Sequence, residues 1–159
     1  MANSNRKVEA SGALYLYGIS QAPAVSRKPA PKLGKIGSVG INGVHPVQPL
    51  PCGDFLCWVC EVDQGSFADA IERNMENLEW LALHGVRHQQ VVGEIAEQMT
   101  IVPARFGTVF SGEPALLKDV LGRTAALKKV FARVAGADEW GVKVFAERQV
   151  TAVPVTEAR

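Results

Sequence analysis

Ala13-Leu14-Tyr15-Leu16-Tyr17-Gly18-Ile19, closed by Ser20, is a run of aliphatic and aromatic residues almost unbroken by polar ones. Residues of these types at this length form β-strands. A strand with one wet face alternates apolar and polar side chains. A strand apolar at nearly every position is predicted to be central, buried on both faces.

Working outward from it, Met1 to Gly12 are polar and small and predict a disordered lead-in. Downstream, residues 21–35 combine Pro23, Pro29 and Pro31 with Arg27, Lys28, Lys32 and Lys35. Prolines at this density block both helix and ladder pairing, so a flexible basic loop is expected, either a solvated linker or a partner-docking segment. Gly34, Gly37, Gly40 and Gly43 recur every third residue, but collagen needs a long run of that period. The G-x-G-x-x-G nucleotide fingerprint is absent too. Asn42-Gly43 predicts a tight turn. Val44–Val47 and Phe55–Val62 then predict two strands, the first held to an edge by Pro46, Pro49 and Pro51.

From Ser66, with Asp69 in capping-box spacing, a helical block is expected to about Gln98. Phe67, Ile71, Met75, Leu78, Leu81, Val92, Ile95 and Met99 trace its apolar face. Its length predicts a break near residues 72–76, with Asn74 or Asn77 restarting the helix. Strand character returns at Met99–Val102. Glu113-Pro114 opens a second helix, and a third carries Leu127, Val130, Phe131 and Val134 and ends at Gly136. Trp140–Ala146 predicts a final strand, and residues 148–159 a tail. Strands and helices intermix without a βαβ repeat. The class expected is α+β over residues 13–147: a modified ferredoxin-like sandwich, its mixed or antiparallel sheet covered by helices on one face.

The chain has 159 residues, a net charge of +1, 47% hydrophobic and 21% charged residues. That is ordinary usage for one globular domain and excludes wholesale disorder. Near-neutrality argues against a nucleic-acid binder, which is visibly basic. No run reaches the ~18–20 apolar residues of a membrane span, and no apolar leader core is present, so a cytoplasmic protein is expected.

Candidate chemistry is sparse. Cys52, Cys57 and Cys60 have the C-x4-C-x2-C spacing of plant-type iron–sulfur proteins but lack a fourth thiolate. On a strand, Cys57 and Cys60 point to opposite faces, which favours core packing. His84 and His88 lie one helical turn apart, and a metal would need a third ligand such as Glu94 or His45. The other expectation for His88 is a hydrogen bond in the helix–sheet interface. Ser38, Ser66 and Ser111 sit in no nucleophile elbow. Arg105 stands alone in an apolar segment, where a half-buried guanidinium holds a carboxylate or carbonyls, or recognises a partner.

Taken together, five stretches resemble the gas vesicle protein family GvpF/GvpL. They are Leu14-Tyr15-Leu16-Tyr17-Gly18-Ile19, Gly53-Asp54-Phe55-Leu56, and Asn77-Leu78-Glu79-Trp80-Leu81 with His84, His88 and Val91. The fourth is Val102-Pro103-Ala104-Arg105-Phe106-Gly107-Thr108-Val109-Phe110, and the fifth Glu139-Trp140-Gly141-Val142-Lys143-Val144. The resemblance implies a non-enzymatic accessory protein that helps build gas-filled protein shells. It implies partners in the small hydrophobic shell protein or other gas vesicle proteins, no nucleic acid or membrane, and a cytoplasmic place beside the vesicles. It carries over no catalytic, cofactor or metal residue. It also implies a C-terminal helical domain, for which this sequence shows no counterpart. For partner binding the expected residues are Arg105, Phe106, Thr108 and Phe110, with the exposed side of the long helix. The competing class is a ferredoxin-like small-molecule or metal-binding regulatory domain, supported by fold analogy alone.

Overall fold

A computed structural model describes residues 12–22, 34, 37, 39–137 and 142–145. The expected lead-in before Gly12, most of the basic loop and the tail lie outside these residues. β1 (Gly12–Gln21), β2 (Gln48–Cys52), β3 (Phe55–Asp63), β4 (Ile101–Pro103) and β5 (Val109–Phe110) form one sheet. Its order is β2-β3-β1-β4, with β5 also on β1, and every pairing is antiparallel. With its helices this is an α+β fold. β1 is central and buried at nearly every position, as its unbroken apolarity requires.

Side chains on these strands sort into two faces. Tyr15, Tyr17, Trp58, Cys60 and Val62 share one; Leu16, Ile19, Phe55, Cys57 and Val59 share the other. Ile19 breaks the simple alternation. Between Leu16 and Gly18, β1 advances two residues while β3 advances one, from Val59 to Trp58. This β-bulge shifts the parity of β1, so Ile19 joins Leu16 rather than Tyr17.

Helices cover both faces, which corrects the one-sided cover expected from sequence. α1 (Asp69–Asn74) and α2 (Leu78–Ala96) lie on the tyrosine face through Ile71, Val91 and Ile95. α3 (Glu113–Gly122) and α4 (Thr124–Val134) lie on the other through Leu116, Val120, Leu127 and Phe131. One layer of helices would have left Leu16, Phe55 and Val59 in water, at about 1.5–3 kcal/mol for each such side chain.

Other boundaries move for local reasons. The edge strand is Gln48–Cys52, not Val44–Val47. Pro49 and Pro51 sit within it because β2 pairs only with β3. Both missing N–H groups, two residues apart, fall on the open side. The turn at Asn42-Gly43 forms as expected: Gly43 has φ +76, and the Asn42 side-chain Oδ1 accepts from the Val44 and His45 backbone amides. The helical block opens with a π-helical turn, Gln64–Ala68, capped by Asp63 rather than Ser66. Ser66 donates its N–H to the Asp63 carboxylate. The break falls at residues 75–77, and Asn77 restarts the helix by accepting from the Trp80 N–H at 3.1 Å. Asn77→Ala should lower the unfolding free energy by about 1 kcal/mol and Asn77→Asp should preserve it, measured by chemical denaturation. Gly136, at φ +69, follows α4 as its terminator. Of the expected final strand, residues 142–145 carry no ladder, while Trp140, Gly141 and Ala146 lie outside the described residues.

Candidate functional site

The edge of β1 opposite β3 is occupied by a broken strand. β4 pairs along Gly18–Ser20 and β5 along Leu14–Tyr15. Between them, Leu16 and Tyr17 face the longer stretch Ala104–Thr108. The Ala104 N–H donates to the Tyr17 carbonyl, and the Leu16 N–H donates to the Thr108 carbonyl, both at 2.9 Å. The residues between must bow outward, so Arg105-Phe106-Gly107 forms a projecting loop. Gly107 takes φ +83, a conformation other residues adopt only under strain. The Thr108 amide and hydroxyl both donate to the Arg105 carbonyl, at 3.1 and 2.7 Å, and fix the loop.

The four residues expected to bind a partner therefore do not form one surface. Phe106 turns inward against Tyr15, Trp80 and His88, with ring centroids 6.4, 6.0 and 5.9 Å away. Phe110 packs on the opposite face with the Leu16 cluster. Thr108 is engaged within the loop. Arg105 is exposed, not half-buried, and makes no ion pair among the described residues.

Beneath the loop lies a hydrogen-bonded seam that the sequence did not reveal. The Gly107 N–H donates to the Tyr15 hydroxyl at 3.3 Å, and Tyr15 Oη lies 2.9 Å from His88 Nδ1. The Ala104 carbonyl partners the same imidazole. These partners assign the neutral tautomer: Nε2–H donates to Ala104, and Nδ1 accepts from Tyr15. Burial pushes His88 below the ordinary histidine range, against the opposing pull of the Ala104 carbonyl. Burial likewise pushes the Tyr15 and Tyr17 hydroxyls well above theirs, so both stay protonated. Tyr17 stacks on His88 with centroids 5.6 Å apart and meets Cys60 Sγ at 3.4 Å. Only tertiary pairing brings residues 15, 88, 104 and 107 together, so no local motif marks them.

His84 and His88 do not converge on a common point. His84 Nδ1 lies 2.8 Å from the Trp80 carbonyl and its ring stacks on Trp80, while His88 serves the seam. His45 is paired with Asn42, and Glu94 accepts from the Gly34 amide. Among the described residues, no three metal-ligating side chains are grouped to hold an ion. Cys57 and Cys60 do face opposite sides of the sheet, as their strand spacing predicts. Burial pushes all three thiols above their ordinary range, which keeps them protonated and unreactive.

The outer face of α2 is the side of the long helix named above for partner binding. The buried line of this helix is His84, His88, Val91 and Ile95. Met75 and Leu78, expected on that line, are exposed, because the break at residues 75–77 shifts the helical phase. Leu78 is 80% exposed; Leu83 and Val86 are more than half exposed. Leu78, Ala82 and Val86 fall at successive i, i+4 positions, with Leu83 beside them, so they make one apolar strip. Trp80 and Phe106 tie the Arg105 loop to the first turns of the same helix.

These features define an α+β scaffold whose buried polar groups are held in structural hydrogen bonds and whose unusual surface is apolar. The chain belongs to the gas vesicle synthesis protein GvpL/GvpF family, whose model matches residues 13–158. It is similar to "Gas vesicle protein L" of Streptomyces sp. (strain CB03234), with 35% identity over 100 residues. That match spans 60% of this chain but only 36% of the relative's length. No solved structure matches the chain. No helix among the described residues is long and apolar enough to cross a membrane.

Proposed function

We propose that this chain is a non-enzymatic assembly factor for gas vesicles, acting beside them in the cytoplasm. Its partner is the small hydrophobic shell protein. It binds through the outer face of α2, with Arg105 on the adjoining loop at the rim. The carrying observation is the strip Leu78, Ala82, Leu83 and Val86, apolar and uncovered on a helix whose other face is fully packed. Such a strip matches a partner that presents apolar helical surface. Family membership supplies the setting, since shell assembly requires a sticky subunit to be held reversibly.

Leu78→Lys with Val86→Lys should reduce co-purification with the shell protein by more than about tenfold, equivalent to at least about 1.4 kcal/mol of binding. Thermal stability should change little, because both positions face solvent. Arg105→Ala should have a smaller effect, as rim charges act mainly on encounter. Undiminished association in the folded double variant would overturn this assignment.

A further inference from the structure

Among the described residues the sheet ends on β4, which pairs with β1 alone. Ala104 donates its N–H inward to Tyr17, so alternation turns Val102 inward and leaves Ile101 and Pro103 facing out. The outer edge thus offers the Ile101 N–H and two carbonyls. Beside it runs a groove of about 750 Å³, lined by Met99, Ile101, Val102, Val130, Val134 and Ala137 among others. An open edge above an apolar groove is a template for one more strand.

The same chain carries a segment of matching character without a sheet. Val142, Val144 and Phe145 are 83%, 88% and 88% exposed. In an extended conformation Val142 and Val144 share one side, and Lys143 takes the other. Three large apolar side chains this exposed in four residues are costly to leave in water. Gly136 and Ala137 still line the groove, yet residues 142–145 stand clear of it, so among the described residues no segment closes this edge.

We propose that Val142–Phe145 of one copy adds as a strand to the β4 edge of a second copy, with Val142 and Val144 over its groove. Donor and acceptor lie on one chain, so reciprocal exchange closes a two-fold dimer that covers the β4 edge of both copies. This dimer is independent of the α2 surface, and either assignment can fail alone.

The full chain is mixed as two single variants, Thr100→Cys and Val144→Cys, and treated with a short bismaleimide; unsubstituted protein controls for the native thiols. A covalent dimer forming only in the mixture is expected. Light scattering of unsubstituted protein across roughly 1–100 µM should show a monomer–dimer equilibrium, and Val144→Asp should weaken it at least about tenfold without altering the far-ultraviolet spectrum. A monomer throughout that range would overturn the proposal. So would a cross-link within single chains of the Thr100→Cys/Val144→Cys double variant when the mixture gives no covalent dimer, which would assign the groove to the chain's own segment.

Discussion

Trp58→Ala should remove about 3–5 kcal/mol of folding free energy, the range for deleting a large buried aromatic. Domains of this size are stable by only about 5–15 kcal/mol, so the variant should populate unfolded chain at physiological temperature. Trp58 has 0% exposure and is among the largest fully buried side chains. It lies on β3 in the same core cluster as Tyr17, Ile41 and the α2 residues Val91 and Ile95, and its indole N–H donates to Ser20 Oγ at 2.9 Å. Ser20 is itself fully buried. Trp58→Phe separates the two contributions: most of the volume stays, and the cost falls toward the about 1–3 kcal/mol of leaving the serine hydroxyl unpaired. Urea denaturation reads both. A loss below about 1 kcal/mol for Trp58→Ala would mean that this face of the sheet is not close-packed.

How far the fold was legible follows from what each signal measures. The unbroken apolarity of residues 13–19 identified the central strand, because burial on both faces leaves no position for polar side chains. α3 and α4 were legible from proline at a first turn and glycine past a last one, both local features of helix ends. The two-sided helical cover was implied by β1 yet not drawn from it, since which helix lies on which face is a property of topology. The bulge at residues 16–18 left no mark in the sequence: Tyr17 and Gly18 satisfy either register. Trp140–Ala146 has the alternation of a strand, but alternation measures fitness for pairing and not the presence of a partner.

The site was legible in a different measure. Arg105 was singled out as a lone cation among apolar residues, and it does stand out, but in solvent at the tip of a loop. Phe106 and Phe110 are separated by the sheet itself, because the loop and the strand alternation send them to opposite faces. On α2, Met75 and Leu78 were expected on the buried face and lie exposed, because the break falls at residues 75–77 rather than 72–76 and resets the helical phase. His88 was expected to hydrogen-bond in the helix–sheet interface, and it does so with Tyr15. Its further partner, the Ala104 carbonyl, and the Gly107 N–H on Tyr15 are set by the long-range fit of β4 and β5 along β1.

That seam carries the second large effect. His88→Ala should cost about 2–4 kcal/mol, because the ring fills space against Tyr15, Tyr17 and Phe106 and its loss leaves a buried hydroxyl without its acceptor. The wild type should also weaken in mild acid. In the unfolded chain the imidazole titrates near about 6.5. In the folded chain burial holds its pKa lower. Below about pH 6.5 the unfolded state therefore takes up a proton that the native state resists, and unfolding is favoured. The contribution is full above the unfolded value and is lost as the pH falls from there through the depressed folded value. Geometry gives the same sign: a proton on Nδ1 faces the Tyr15 O–H, so the hydroxyl must turn away from a partner it has no replacement for. The Asp63 carboxylate, held down by the Ser66 amide, adds its own loss only at more acidic pH. Thermal melts between pH 8 and 5 should thus show a falling midpoint for the wild type and a flatter one for His88→Gln, which does not titrate there. An identical slope in both proteins would assign the acid sensitivity elsewhere and leave His88 with a packing role alone.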